Sequence, residues 1–264
     1  MNIIVCIKQV PETSNVRMDE ETGTMVREGV ESIVNPLDLY AIEAAIRLRE
    51  ENGGRVTVLS MGPPNAEKAV REAMAMGCDD GVLVSGREFA GSDTHATSYC
   101  ISRAVLKLSP FDLVMMGVRA TDGDTGQVGP GVAAFLDMPL CTYASRMMGV
   151  EDGRITIERL LESGYETLRL PMPCVVTVGK EIGYPRLPTL RGKQRARKAD
   201  VAMWGPAALE VDAAMLGLKG SPTRVVKITK PKVTRSGRVL DLAKVGAHEA
   251  AHELVDFLEE NNLL

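Results

Sequence analysis

Over its first half the chain alternates short apolar runs with longer stretches of helical periodicity. Asn2 to Ile7 reads as an apolar strand, stopped by Pro11 after Lys8-Gln9-Val10. The polar segment up to Glu28 is a long excursion with hairpin character at Glu21-Thr22-Gly23, and loops of that length in a compact domain usually carry function. Asn35-Pro36 predicts a helix start, with Asn35 as cap and Pro36 in the first turn. Ala41, Ile42, Ala45, Ile46 and Leu48 supply its apolar stripe, and Gly53-Gly54 ends it. Arg55 to Met61 predicts a strand, Asn65 to Met76 a helix closed by Gly77, Val82 to Val84 a strand, Thr94 to Leu108 a helix and Leu113 to Met116 a strand. This βαβ spacing predicts an α/β fold: a doubly wound, mostly parallel sheet with helices on both faces and right-handed crossovers.

After Pro139 the pattern changes. Ser145 to Val150, Arg154 to Leu160 and Glu166 to Leu170 predict antiparallel strands joined at Glu151-Asp152-Gly153 and Glu162-Ser163-Gly164, and Cys174 to Val178 returns as a buried strand. Lys180 to Lys198 is proline-rich, then basic. Residues 206 to 217 read as helical, 222 to 240 as an extended basic linker and Asp241 to Leu264 as a last helix with Leu254, Val255 and Leu258 on one stripe. The expected division is therefore 1–200 and a C-terminal arm, 201–264.

The stretch with the most chemical content is 112 to 136. The Leu113 strand breaks into a loop holding Gly117, Gly123, Gly126 and Gly129, followed by a helix starting near Gln127 with Pro130 in its first turn. Glycines let backbone N–H groups approach a ligand, and a helix start adds unpaired N–H groups and the positive dipole end, so a phosphate fits. The loop lacks the Gly-Lys-Ser/Thr ending of a Walker loop and the spacing of the dinucleotide fingerprint. A plain connection with Asp122 and Asp124 as turn residues is the alternative. Placement favours the ligand: in a doubly wound sheet Lys8 to Pro11, Met61 to Pro63 and Gly117 to Gln127 all end at the carboxyl edge of the strands, where ligands bind, and the helix starts at Asn35 and Thr94 can face the same crevice.

Composition narrows the function. A net charge of -4 and a pI near 5.6 argue against non-specific nucleic-acid binding as the main role. Apolar stretches are too short to span a bilayer, and Met1-Asn2 leads straight into a strand with no signal sequence, so a cytoplasmic protein is expected. Cys6, Cys78, Cys100, Cys141 and Cys174 form neither a CxxC pair nor a zinc pattern and read as packing thiols. His248 and His252 share a helix face without a third ligand, so no metal site is expected. No Ser/His/Asp or Cys/His arrangement occurs, and no catalytic side chain is assigned.

Six segments carry a family resemblance: Val5-Cys6-Ile7-Lys8-Gln9-Val10-Pro11, Asn35-Pro36-Leu37-Asp38-Leu39-Tyr40-Ala41-Ile42-Glu43, Ser60-Met61-Gly62-Pro63, Ala75-Met76-Gly77-Cys78-Asp79, Gly117-Val118-Arg119-Ala120-Thr121-Asp122-Gly123-Asp124-Thr125-Gly126-Gln127 and Tyr184-Pro185-Arg186-Leu187-Pro188-Thr189-Leu190. In this order they resemble the β subunit of electron-transfer flavoproteins, over residues 1 to 200 most clearly. The resemblance implies a heterodimer with an α subunit that carries one FAD, and a second adenine nucleotide in β. That nucleotide is AMP in the ordinary branch. In the electron-bifurcating branch it is FAD, with NADH as transient electron donor or acceptor. Lys8 to Pro11 with Thr13, Asn35-Pro36 with Asp38 and Tyr40, and Asp122 to Pro130 look more like the bifurcating branch, with a lactate dehydrogenase or acyl-CoA dehydrogenase type of partner. Val118 and Arg119 depart from the commoner form of the loop.

Carried over by position, the resemblance implies a nucleotide pocket of Cys6, Asn35, Pro36, Leu37, Asp38, Met61, Gly117, Val118, Arg119, Asp122, Gly123, Asp124, Thr125, Gly126, Gln127 and Val128. Gly126 to Val128 would offer N–H groups to the diphosphate, Asp122 would accept from ribose or adenine, and Cys6 and Met61 would be apolar walls or plain core. Pro11 to Thr13 and Thr94 to Thr97 would line a flavin ring, with Thr94 and Thr97 as hydrogen-bonding candidates. Residues 180 to 198 correspond to a partner-recognition loop with Leu190 as its anchor and Arg186 and Arg191 as a charged rim; Leu190 packed beneath its own loop is the alternative. The 201–264 arm would pack on the α subunit. A stand-alone nucleotide sensor has no use for such a loop and arm.

Overall fold

Strand β1 (Asn2–Ile7) has five consecutive buried residues, Ile3 to Ile7, a pattern that requires cover on both faces. In the computed structural model, which describes residues 1–12, 17–18, 25–26, 32–226 and 239–264, β1 lies near the middle of a nine-stranded sheet. Short strands β2 (Gln9–Pro11), β3 (Arg17–Met18), β4 (Met25–Val26) and β5 (Ser32–Val34) follow. β3 pairs antiparallel with β4, in keeping with the hairpin expected there, although Glu21-Thr22-Gly23 lies outside the described residues.

The main fold is then α1 (Pro36–Asn52), β6 (Arg55–Met61), α2 (Glu67–Met76), β7 (Asp80–Val84), α3 (Thr94–Lys107), β8 (Leu113–Gly117) and α4 (Val128–Leu136). β6 and β7 extend the sheet on one side of β1 and β8 lies on the other, all parallel. Strand residues alternate between two layers. Ile3, Val5 and Ile7 pack with Ile42 and Ile46 of α1 and Met74 of α2, whereas Ile4 and Cys6 pack with Ile101 and Val105 of α3 and Val132 of α4. Each such side chain stabilises the fold by about 1.5–3 kcal/mol on full burial.

β9 (Leu140–Glu151) begins earlier than its hydrophobic pattern predicts. Its first half pairs parallel with β12 (Cys174–Val178), and its second half turns antiparallel to β10 (Arg154–Leu161), which pairs with β11 (Gly164–Pro171). Beyond β12 a helix, α5 (Leu190–Lys198), occupies the basic stretch, and β13 (Val201–Trp204) adds a parallel edge strand on β7. Residues 206 to 217 are not one helix but α6 (Pro206–Leu209), a 3-10 turn and the start of α7 (Gly217–Gly220). The first compact unit runs Met1–Lys227, past residue 200, because β13 continues the sheet. In the second unit, Ile228–Leu264, Gly246 at φ 84° splits the single helix read from sequence into α8 (Leu242–Val245) and α9 (Ala247–Glu260). The linker read at 222 to 240 falls largely on 227–238, outside the described residues.

Candidate functional site

The chain leaves β1 for β6 on one side and later returns to β8 on the other, so the loops beyond β1 and β8 diverge at the switch point, where a doubly wound sheet is expected to form its ligand crevice. The start of α1 roofs it. Asn35 is 1% exposed and its N–H donates to the Lys8 carbonyl at 2.8 Å. Its side chain does not cap α1, which corrects the sequence reading. Instead Nδ2 donates to the Arg119 carbonyl at 2.9 Å and Oδ1 accepts from the Thr121 N–H at 3.1 Å, so Asn35 clamps the glycine-rich loop. Pro36 in the first helical position has no N–H to satisfy and presets φ for the helix start.

One turn on, the buried Asp38 ties both strand ends together. Oδ2 accepts the Lys8 N–H at 2.7 Å and Oδ1 the Gly117 N–H at 3.1 Å. Gly117 has no room for a side chain, because a Cβ would lie 2.5 Å from Asp38 Oδ1 and 2.7 Å from the Leu37 carbonyl carbon. Burial pushes the Asp38 carboxyl up from 3.8 to about 7, against the opposing pull of the Lys8 and Gly117 N–H groups, Asn35 and the Lys8 charge. The folded value is the higher one, so this group's contribution to stability is complete below about pH 4 and is lost as pH rises through about 7. The melting-temperature advantage of the native protein over Asp38→Asn is therefore expected to shrink between pH 4 and 7. A difference that stayed constant over that range would mean Asp38 is ionised throughout.

Cys6 is buried in the core, and burial together with the Asp38 charge raises its thiol far above the ordinary range, so it is unreactive. All five cysteines are buried and free. Cys6 belongs to the same apolar cluster as Met116, with Met61 and Val128 packed against it, so these sequence-predicted residues meet on the α3/α4 face of the sheet.

The loop beyond β8 is partly sheet and partly open. Val118 is buried and its N–H donates to the Val178 carbonyl, so its side chain belongs to the core. Arg119 pairs with Asp124 at 3.2 Å, Asp124 and Gly126 have φ of 53° and 65°, and Gly123 and Thr125 are exposed. Asp122 accepts from Lys8 Nζ at 2.7 Å, an exposed pair across the crevice mouth. Lys8 heads the Lys8 to Pro11 segment that the sequence places at the carboxyl edge, and its place at the end of β1 is the signal that marks it.

The two helix starts beside the loop differ. α3 is capped by Asp93, which accepts from the N–H groups of His95 and Ala96. α4 has no side-chain cap and no acidic residue in its first turn. Its N-cap residue, Gln127, turns its side chain aside to accept from Thr94 Oγ1 at 2.9 Å. Ser98 Oγ bridges the Thr94 and Val128 carbonyls, and Gly131 leaves space for it, so the helix starts lie side by side. Thr94 therefore lies beside the start of α4, and Thr97 sits on the same turn, half-buried. An anion has donors at α4, from Val128 and Gly129, where at α3 it would meet a carboxylate. The donor set fits a phosphate or diphosphate.

The second feature is the segment from Gly183 through α5. Tyr184, Leu187 and Leu190 are 89%, 85% and 87% exposed, so Leu190 does not pack beneath its loop. Thr189 caps α5 by accepting the Gly192 N–H. The basic run divides by direction. Arg195 donates to the Met74 and Cys78 carbonyls at the end of α2, and Arg71 of α2 donates to the Ala196 and Ala199 carbonyls. Arg186 turns inward onto α1, with Nε 2.7 Å from Glu43 and Nη1 2.6 Å from Glu50. Arg191, Lys193, Arg197 and Lys198 face solvent.

The sequence pattern of the electron transfer flavoprotein domain matches residues 22–209. The chain belongs to the electron transfer flavoprotein family. It is 46% identical to the electron transfer flavoprotein subunit beta of Thermoanaerobacterium thermosaccharolyticum and 40% identical to the caffeyl-CoA reductase-Etf complex subunit CarD of Acetobacterium woodii, each over 100% of both chains. It is also 44% identical to protein FixA of Azotobacter vinelandii over 88% of this chain and 85% of that one. Electron transfer is thus its general role, with flavin or AMP as the family's ligands and an α subunit as the partner of its β subunits. Among the described residues, no group of three or more His, Cys, Asp or Glu can hold a metal ion and no helix is long and apolar enough to cross a membrane.

Proposed function

We propose that the chain holds FAD in the crevice between the ends of β1 and β8 and, with an α subunit, exchanges electrons with NAD(H) and a partner dehydrogenase by flavin-based bifurcation or confurcation. The observation that carries this reading is the uncapped start of α4 beside a loop clamped by Asn35. Bound FAD would supply two-electron exchange with NADH and single-electron steps, chemistry that no side chain here provides. The chain's own part is to bind and orient. Gly126, Gln127 and Val128, with Gly129 in the first turn of α4, offer backbone N–H groups to the diphosphate, Asp122 offers an acceptor to ribose or adenine, and Cys6 and Met61 wall the pocket. Pro11, Thr94 and Thr97 border the space for the ring; Thr13, expected beside them, lies outside the described residues.

In the same reading Leu190 anchors a dehydrogenase of lactate dehydrogenase or acyl-CoA dehydrogenase type, with Arg191 on the rim. The second unit docks on the α subunit through the exposed Leu254, Val255 and Phe257 of α9, and the complex works in the cytoplasm. The heterodimer, stripped of nucleotide and offered FAD with excess AMP, is expected to take up a second FAD beyond the one on the α subunit, counted after gel filtration. Preferential uptake of AMP would make the crevice a structural site.

A further inference from the structure

We propose that Arg186 is a positioning residue, locked to Glu43 and Glu50 of α1 so that the loop presents Leu187 and Leu190 outward in a fixed pose, and that it does not itself meet the partner. This rests on the docking reading above. Four contacts engage the guanidinium: Nε and Nη2 donate to Glu43, and Nη1 and Nη2 donate to Glu50. The backbone N–H of Arg186 also donates to Glu43 Oε2 at 3.0 Å. Little donor capacity is left for an incoming carboxylate, whereas a rim charge needs its donors free.

Glu43 cannot swing away, because its side chain is 4% exposed and Arg47 Nε donates to Oε1 at 2.6 Å. Arg47 also donates to the Tyr184 carbonyl at 3.3 Å. The loop is thus fastened at Tyr184 and Arg186, while the side chains of Tyr184, Leu187 and Leu190 stand almost wholly in solvent. Pro185 and Pro188 fix φ on either side. Apolar side chains held in place before encounter lose less entropy on docking. The fastening point is α1 itself, whose first turn carries Asp38. Glu43 lies five residues further along one helix, about 7.5 Å at 1.5 Å per residue. The docking loop is thereby registered to the crevice.

The test uses the αβ heterodimer and whichever of two probes, a lactate dehydrogenase or an acyl-CoA dehydrogenase flavoenzyme, exchanges electrons with the native complex. Arg186→Gln is expected to raise KM for that probe about tenfold with kcat and nucleotide content unchanged, to leave the ionic-strength dependence of KM unaltered, and to speed amide hydrogen exchange at residues 183 to 190. Arg191→Gln is expected to change the ionic-strength dependence without changing exchange. Should Arg186→Gln misfold, Glu50→Gln removes half of the clamp at an exposed carboxylate and is expected to show the same pattern, weaker. A flattened ionic-strength dependence with unchanged exchange in the Arg186 or Glu50 variant would make Arg186 a rim charge and overturn the proposal. Leu190→Ala, run alongside, separates the two ideas. If it leaves KM unchanged, the docking reading fails and the proposal with it; if it raises KM while Arg186→Gln does not, only the positioning role fails.

Discussion

Gly117→Ala is expected to strip the crevice of nucleotide and to lower the melting temperature by roughly 5–10 °C, about 2–3 kcal/mol for a chain of this size. The added methyl would point at the backbone of Leu37 and Asp38 and at the carboxylate that receives the Gly117 N–H. Backbone cannot yield as a flexible side chain does, so β8 and the start of α1 must separate, and the Asp38 bridge to β1 goes with them. Gly123→Ala is the control on the same loop. A Cβ there meets nothing within 4 Å, and neither stability nor nucleotide content should change. Thermal melts and released nucleotide, measured on both variants, check the pair; equal behaviour would mean that the Asp38 bridge is not what holds the crevice.

Leu190→Ala is the second large effect. The residue is 87% exposed and touches little of its own chain, so the melting temperature should stay where it is. If it is the buried anchor of a small, transient interface, truncation should raise KM for the partner dehydrogenase about 10- to 30-fold, the 1.4–2 kcal/mol typical of such an anchor. Steady-state kinetics at varied dehydrogenase concentration decide it. An unchanged KM would leave Leu190 an ordinary exposed side chain.

The parts of the fold visible in the sequence are those whose partners lie nearby in pattern. Ile3 to Ile7 and Leu113 to Met116 are apolar without interruption, and the helix between Asn35 and Gly53 shows its stripe, so the doubly wound sheet follows from periodicity, whereas the strand order that places its switch point between β1 and β8 does not. α5 gives no such signal. Only Ala196 of its residues is buried, and what holds it to α2 is a set of arginine bonds to backbone carbonyls that no apolar period records. The first half of β9 has no local signature because its register is set by β12, more than thirty residues later, and by Tyr143 at a φ of 56°.

The site shows the same division. The glycine-rich loop and its helix start were legible, whereas the reason for each glycine was not: Gly117 is required by contact and Gly123 is not. The residue type of Asn35 suits a cap, but a tertiary partner, the backbone of Arg119 and Thr121, takes the side chain instead. Arg186 looks like its basic neighbours in the sequence. Its direction depends on Glu43 and Glu50, 143 and 136 residues away, and charge alone cannot tell an inward arginine from an outward one.

The central claim, that this crevice holds FAD, is tested most directly by the nucleotide content of the purified αβ heterodimer after acid release and chromatography. The account predicts two FAD per heterodimer, one of them lost in Gly117→Ala. One FAD with one AMP would contradict it and leave the chain a scaffold that docks partners.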